Sequence, residues 1–119
     1  MNFPDARIYK IKCNITNKIY IGSTYSNNLR KRLCMHYNSY LSFLRGNYHY
    51  ISSFDTLQND NFDIELVQLF PCNNRHELHI REGYHIQNTV GCINRNVAGR
   101  THAECVRRYQ LKIRNNNNI

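Results

Sequence analysis

Arg7-Ile8-Tyr9-Lys10-Ile11-Lys12-Cys13 and Lys18-Ile19-Tyr20-Ile21-Gly22-Ser23 are two short runs, each carrying one tyrosine on an isoleucine framework. Asn14-Ile15-Thr16-Asn17 divides them. β-branched and aromatic residues around a break containing Asn and Thr predict a β-hairpin. A hairpin alone specifies no chemistry, so its meaning depends on what the rest of the chain brings to Tyr9 and Tyr20.

Moving outward, Ser23-Thr24-Tyr25-Ser26-Asn27-Asn28 supplies capping oxygens ahead of a helical pattern. Leu29, Leu33, Tyr37, Tyr40 and Leu44 recur at the spacing of a buried stripe, and Gly46-Asn47 closes the run. A second, shorter helix is expected from Tyr48 to about Gln58, with Ile51, Phe54 and Leu57 inward, followed by an Asn59-Asp60-Asn61 loop. Phe62 to Phe70 alternates apolar and polar side chains, which predicts a third strand with one face in the core, ended by Pro71. Asn74-Arg75-His76-Glu77 has the form of a helix cap with Glu at the third position, opening a helix to Gln87 or Asn88. Cys92 to Ala98 is expected to be extended or irregular, and Gly99 breaks it. Thr101-His102-Ala103-Glu104 is a capping box for a final basic helix through about Arg114, and Asn115 to Asn118 is a polar end expected to be disordered. The expected fold is α+β, in the order β-β-α-α-β-α. A small three-stranded antiparallel sheet is flanked by helices over residues 1–98, and 99–119 form a basic C-terminal extension.

Length and composition bound the function. A chain of 119 residues with 41% hydrophobic residues supports one domain with a modest core. No apolar run is long enough to span a bilayer, and Met1-Asn2-Phe3-Pro4-Asp5 lacks the layout of a signal peptide. A soluble intracellular protein, in cytoplasm or nucleus rather than secreted, is the expectation. Cys13, Cys34, Cys72, Cys92 and Cys105 are odd in number and scattered, which argues for reduced thiols over a disulfide framework or zinc site. The formal charge of +8 is segregated, with no acidic residue between Asp5 and Asp55. Segregated positive charge is the footprint of a phosphate-backbone binder. A membrane-surface role lacks the amphipathic helix with bulky apolar anchors that it would need.

Some polar residues stand on apolar faces. Glu82 lies four residues from both Leu78 and Ile86, and each such step advances only about 40° around a helix. A carboxylate there must be paired with an arginine or hold a metal ion. Arg32 and His36 share a face beside Leu29, Leu33 and Tyr40. An arginine can clamp a phosphoryl oxygen, and a histidine can exchange a proton near neutrality. Arg30 and Lys31 have the pattern of solvated charges. His76, His79, Glu82 and His85 form a ladder of three-residue steps. Such steps slip about 60° each and wind around the helix, which disfavours a histidine zinc site. No nucleophile elbow or phosphate loop is present.

Ile8-Tyr9, Tyr20-Ile21-Gly22, Lys31-Arg32-Leu33 and His36 resemble the GIY-YIG nuclease family. In that pattern a Gly-Ile-Tyr strand and a Tyr-Ile-Gly strand precede a helix bearing an arginine and, four residues on, a histidine. A glutamate on a later helix and an asparagine near the end complete it, and Glu82 and Asn96 occupy those places. The first motif's glycine is Arg7 here, a departure that touches backbone geometry more than chemistry.

The resemblance implies a DNA endonuclease dependent on one Mg²⁺ or Mn²⁺ per active site, held by Glu82, with no small-molecule cofactor and no membrane partner. It assigns catalytic roles to Tyr9, Tyr20, Arg32, His36, Glu82 and Asn96, with Tyr9 as general base. A free tyrosine pKa of about 10 is too high for that task unless cations lower it, and Lys10 and Lys18 are the candidates. Products would carry 5′-phosphate and 3′-hydroxyl ends. DNA contacts are expected from Arg30, Lys31, Arg100, Arg107, Arg108 and Lys112. A viral, phage or mobile-element enzyme comes first, a type II restriction enzyme second and a branched-DNA nuclease third. A catalytically silent DNA-binding module is the reading from another class. Double-strand cleavage would need a homodimer or two visits.

Overall fold

The computed structural model describes residues 2–94. β1 (Arg7–Cys13) and β2 (Ile19–Thr24) form the hairpin, and β3 (Phe62–Leu69) joins the other side of β1. The antiparallel order is therefore β2-β1-β3, with the tyrosine-bearing first run in the centre. The hairpin closes where the Asn17 N–H donates to the Cys13 carbonyl at 2.9 Å and Cys13 N–H donates to Lys18 at 3.0 Å. Asn17 sits at φ 62°, a left-handed conformation that asparagine tolerates better than branched residues.

Neighbouring residues of β1 face opposite ways, and a separate core grows on each face. Ile8 joins Ile21, Leu78 and Ile86 beneath α2 (Arg75–Asn88). Tyr9 and Ile11 join Tyr40, Phe54 and Leu57 beneath α1 (Leu29–Leu44). Asn28 caps α1 by accepting from Lys31 N–H at 3.0 Å. Gly46, at φ 81°, ends that helix's turn, with its N–H donating to Phe43 at 3.0 Å and Asn47 N–H donating to Ser42 at 2.9 Å. Asn74 caps α2 by accepting from Glu77 N–H at 2.9 Å, while the Glu77 carboxylate reaches back to Asn73 N–H at 3.2 Å.

Three expectations change. The helix expected from Tyr48 to Gln58 is only a 3₁₀ turn, Ser52–Thr56. Its short hydroxyl side chains compete for the backbone: Thr56 Oγ1 donates to the Ser53 carbonyl at 2.6 Å. Phe54 and Leu57 nevertheless face inward as expected, fully buried. Leu44 leaves the α1 stripe and is exposed, and Phe43 takes the last packing place against Phe54 and Tyr50. In β3 the alternation breaks at a bulge, where Ile8 pairs with Gln68 and Tyr9 with Leu66. Val67 is the extra residue, so both Val67 and Gln68 turn toward α2.

The outer edge of β2 is closed by residues 91–94. Ile19 N–H donates to Gly91 at 3.0 Å and Ile93 N–H donates to Ile19 at 2.8 Å. Asn94, buried, then copies a strand residue with its side chain, accepting from Ile21 N–H at 2.9 Å and donating to the Ile21 carbonyl at 2.8 Å. Asn96, Arg100, Arg107, Arg108 and Lys112, the boundary near residue 98 and the basic tail helix lie outside the described residues. Among the described residues no helix is long and apolar enough to cross a membrane.

Asn94→Ala leaves both backbone groups of Ile21 without their partner. Unfolding in urea is expected to show a loss of about 2 kcal/mol; a loss within experimental error would mean that water replaces the side chain.

Candidate active site

Tyr9 is fully buried at the centre of the sheet, directly across from Gly22 on β2. A Cβ at position 22 would lie 2.5 Å from both Cζ and Oη of Tyr9. Glycine is therefore required there by close approach: the Tyr9 ring occupies the space of the missing side chain. This ties the two halves of the hairpin motif together physically.

Tyr9 Oη has two partners from α1. It lies 2.7 Å from His36 Nε2 and accepts from Arg32 Nε at 3.1 Å. One helical turn separates Arg32 from His36, so a single face delivers both to one oxygen. Behind His36, Nδ1 lies 2.9 Å from the Oγ of fully buried Ser53. Ser53, on the 3₁₀ turn, thus fixes the imidazole plane, and with it the nitrogen that meets Tyr9. The Tyr20 ring meets His36 edge-on, with centroids 5.5 Å apart.

Glu82 approaches from α2. It joins Tyr9, Tyr20, Ser23, Thr24, Tyr25, Arg32, Arg75 and His79 around a cleft of about 330 Å³. The structure thus brings Tyr9, Tyr20, Arg32, His36 and Glu82 together, as expected. It does not bring Lys10 or Lys18. Lys10 lies on the opposite face of β1 from Tyr9 and pairs with Glu65 at 3.5 Å. Lys18 is exposed at the hairpin turn, four residues along β2 from Gly22 and so about 13 Å away along the strand. The cation at Tyr9 is Arg32. Arg30 and Lys31 are exposed, on the solvent side of the same turn.

Burial dominates the electrostatics. It pushes the Tyr9 phenol above its ordinary pKa despite the charge and hydrogen bond of Arg32. It also pushes Tyr20 up, helped by Tyr9 and Glu82. Burial, then the Arg32 charge, brings His36 down to about 4, so the imidazole is neutral at pH 7. Burial raises the Glu82 carboxyl, with the Ser23 hydroxyl and the Arg32 charge pulling the other way. The expectation that cations lower the Tyr9 pKa is therefore reversed in net direction.

Glu82 makes no ion pair among the described residues, where Lys10–Glu65 is the only one. Among the described residues no arginine pairs closely with that carboxylate, although the Arg32 charge acts on it, and a half-buried oxygen donor lines the cleft. That chemistry suits a hard cation completing its shell with water and phosphate. No group of three or more His, Cys, Asp or Glu gathers among the described residues. Of the histidine ladder only His79 shares the cleft with Glu82, while His76 is exposed and His85 bonds Gln68 at 2.8 Å. Ser53, Ser23, Arg75 and Asn94 are not among the candidate site residues read from the sequence, and His79 figures there only in the histidine ladder. Arg75, His79 and Glu82 carry a legible signal, a stripe at four- and three-residue steps. Ser53 carries none.

The two titrations have opposite signs. His36, lowered in the fold, stabilises the protein above its ordinary value near 6.5, and that stability falls as pH drops from there toward 4. Glu82, raised in the fold, adds stability as pH falls through its raised value. In an NMR titration His36 is expected to stay neutral until about pH 4, and a midpoint near 6.5 would show that its burial is not maintained in solution.

No protein-family model matches the chain, and no curated protein sequence does. Among solved structures, a mutant form of the catalytic domain of the intron endonuclease I-TevI matches with TM-score 0.56. Identity is 19%, over 78% of this chain and 95% of that domain. A second structure of the catalytic domain of homing endonuclease I-TevI gives TM-score 0.54 at 20% identity, over 75% of this chain and 96% of that one. The α+β architecture described above, with its central antiparallel β1, is the GIY-YIG catalytic-domain fold.

Proposed function

We propose that this chain is a DNA endonuclease, hydrolysing a phosphodiester with the help of one Mg²⁺ or Mn²⁺ ion. The observation that carries the reading is the Tyr9 hydroxyl, held by Arg32 and His36 in a cleft whose facing wall presents Glu82. A phosphodiester entering this cleft would meet a guanidinium, a proton-exchanging pair and a hard carboxylate ligand together.

Each residue then has a derivable role. Arg32 stabilises charge that develops on the phosphoryl oxygens. Tyr9 takes a proton from the attacking water at Oη and hands its own phenolic proton to His36 Nε2, so that no free tyrosinate accumulates. This relay answers the raised pKa of Tyr9, because burial opposes isolated charges but not a concerted transfer. An incoming phosphate offsets the Arg32 charge and makes His36 a better proton acceptor. Ser53 holds Nδ1 while this happens. Tyr20 positions water or phosphate beside the pair. Glu82 would hold the metal ion, which when bound supplies Lewis acidity at the scissile phosphate. Departure of the 3′ oxygen would leave 5′-phosphate and 3′-hydroxyl ends.

The resemblance of the fold to a homing endonuclease domain supports the same reaction class. One such cleft cuts one strand, so double-strand cleavage would take a dimer or a second visit.

Supercoiled plasmid incubated with Mg²⁺ or with EDTA tests the reading. Wild-type protein is expected to nick only with the metal. Glu82→Gln is expected to lose cleavage while binding DNA as well or better, and turnover near wild type would sink the metal assignment. Tyr9→Phe and His36→Ala are each expected to lose about 10²- to 10⁴-fold in rate, because either change breaks the proton relay. A His36→Ala rate near wild type would show that His36 does not receive the proton.

A further inference from the structure

Two cleft residues, Arg75 and His79, have no part in the chemistry above. They precede Glu82 by seven and three residues on α2, within an arc of about 60°. Arg75 Nε donates to His79 Nε2 at 3.4 Å. Burial, then the charges of Arg75 and His76, keeps His79 below its ordinary pKa, so its ring nitrogen accepts rather than repels the guanidinium. Arg75 forms no ion pair among the described residues. Its nearest acidic neighbour in sequence, Glu77, is engaged in the helix cap. Arg32 has its Nε committed to Tyr9. Arg75 is thus a separate cation on the Glu82 wall, oriented and without an ion-pair partner among the described residues. Tyr25 also lines the cleft, its ring held against Phe3 with centroids 4.4 Å apart.

We propose that Arg75, oriented by His79, is a second phosphate subsite. It would take a non-bridging oxygen of a phosphodiester neighbouring the one presented to Tyr9, Arg32 and Glu82. The proposal rests on the nuclease reading and adds how the strand is laid along α2. Seven residues span about 10 Å of helix axis, or about three steps of a DNA strand at 3.4 Å each. The phosphate held by Arg75 therefore lies within about three nucleotides of the cut. Two anchored phosphates, unlike one, fix the direction of the strand through the cleft.

The test compares Glu82→Gln with Glu82→Gln/Arg75→Ala by fluorescence anisotropy on one DNA duplex across a salt series. Removing Arg75 is expected to weaken binding about tenfold and to reduce the slope of log K against log salt by about one. Arg75→Lys in the same background is expected to keep the slope. A walk of single methylphosphonates along the strand supplies the site-specific readout. One neutralised position should weaken Glu82→Gln but leave the Arg75→Ala double variant unaffected. Equal affinities, or equal sensitivity at every position, would overturn the subsite. Wild-type nicking alongside such a flat result would leave the nuclease reading standing. The Arg75 effects in a protein that never nicks would keep the subsite and overturn that reading.

Discussion

The Tyr9 hydroxyl is the point on which this structure turns. It is a polar atom at the centre of a three-stranded sheet, and burying it without partners would be costly. His36 and Arg32 supply those partners from one face of α1. The same contacts that satisfy a buried phenol also dock the helix onto the sheet and define one wall of the cleft. Stability and the shape of the cleft share these bonds.

Room for that arrangement comes from what is missing elsewhere. Gly22 lends its absent side chain to the Tyr9 ring. The β3 bulge turns Val67 and Gln68 together toward α2, where Gln68 meets Arg81 and His85. Asn94 seals the β2 edge beside Ile21, one residue from Gly22. The backbone under the site is thus held from the centre and from both edges.

Electrostatically the cleft is balanced against itself. Burial raises Tyr9, Tyr20 and Glu82 and lowers His36, so desolvation favours the neutral form of each. Arg32 and Arg75 stand without close carboxylate partners among the described residues. An anion bound between them, with a cation at Glu82, would compensate charges that the protein leaves open.

Local information determined much of this protein. The hairpin, the α1 and α2 caps and the third strand follow from propensity, periodicity and capping, which act over a few residues. The grouping of Tyr9, Tyr20, Arg32, His36 and Glu82 was legible because a resemblance in motif order stood in for long-range contact. Tertiary structure alone decided the rest. Lys10 and Lys18 lie close to Tyr9 in sequence, but strand alternation and strand length separate them from its hydroxyl. Ser53, in a segment whose helical pattern shortened to a 3₁₀ turn, reaches His36 across 17 residues of chain. Asn94 reaches Ile21 across 73. The direction of the Tyr9 pKa also belonged to the fold, because desolvation depends on everything packed around the group. Propensity and pattern name the elements, but burial and the meeting of distant side chains exist only once the elements are packed.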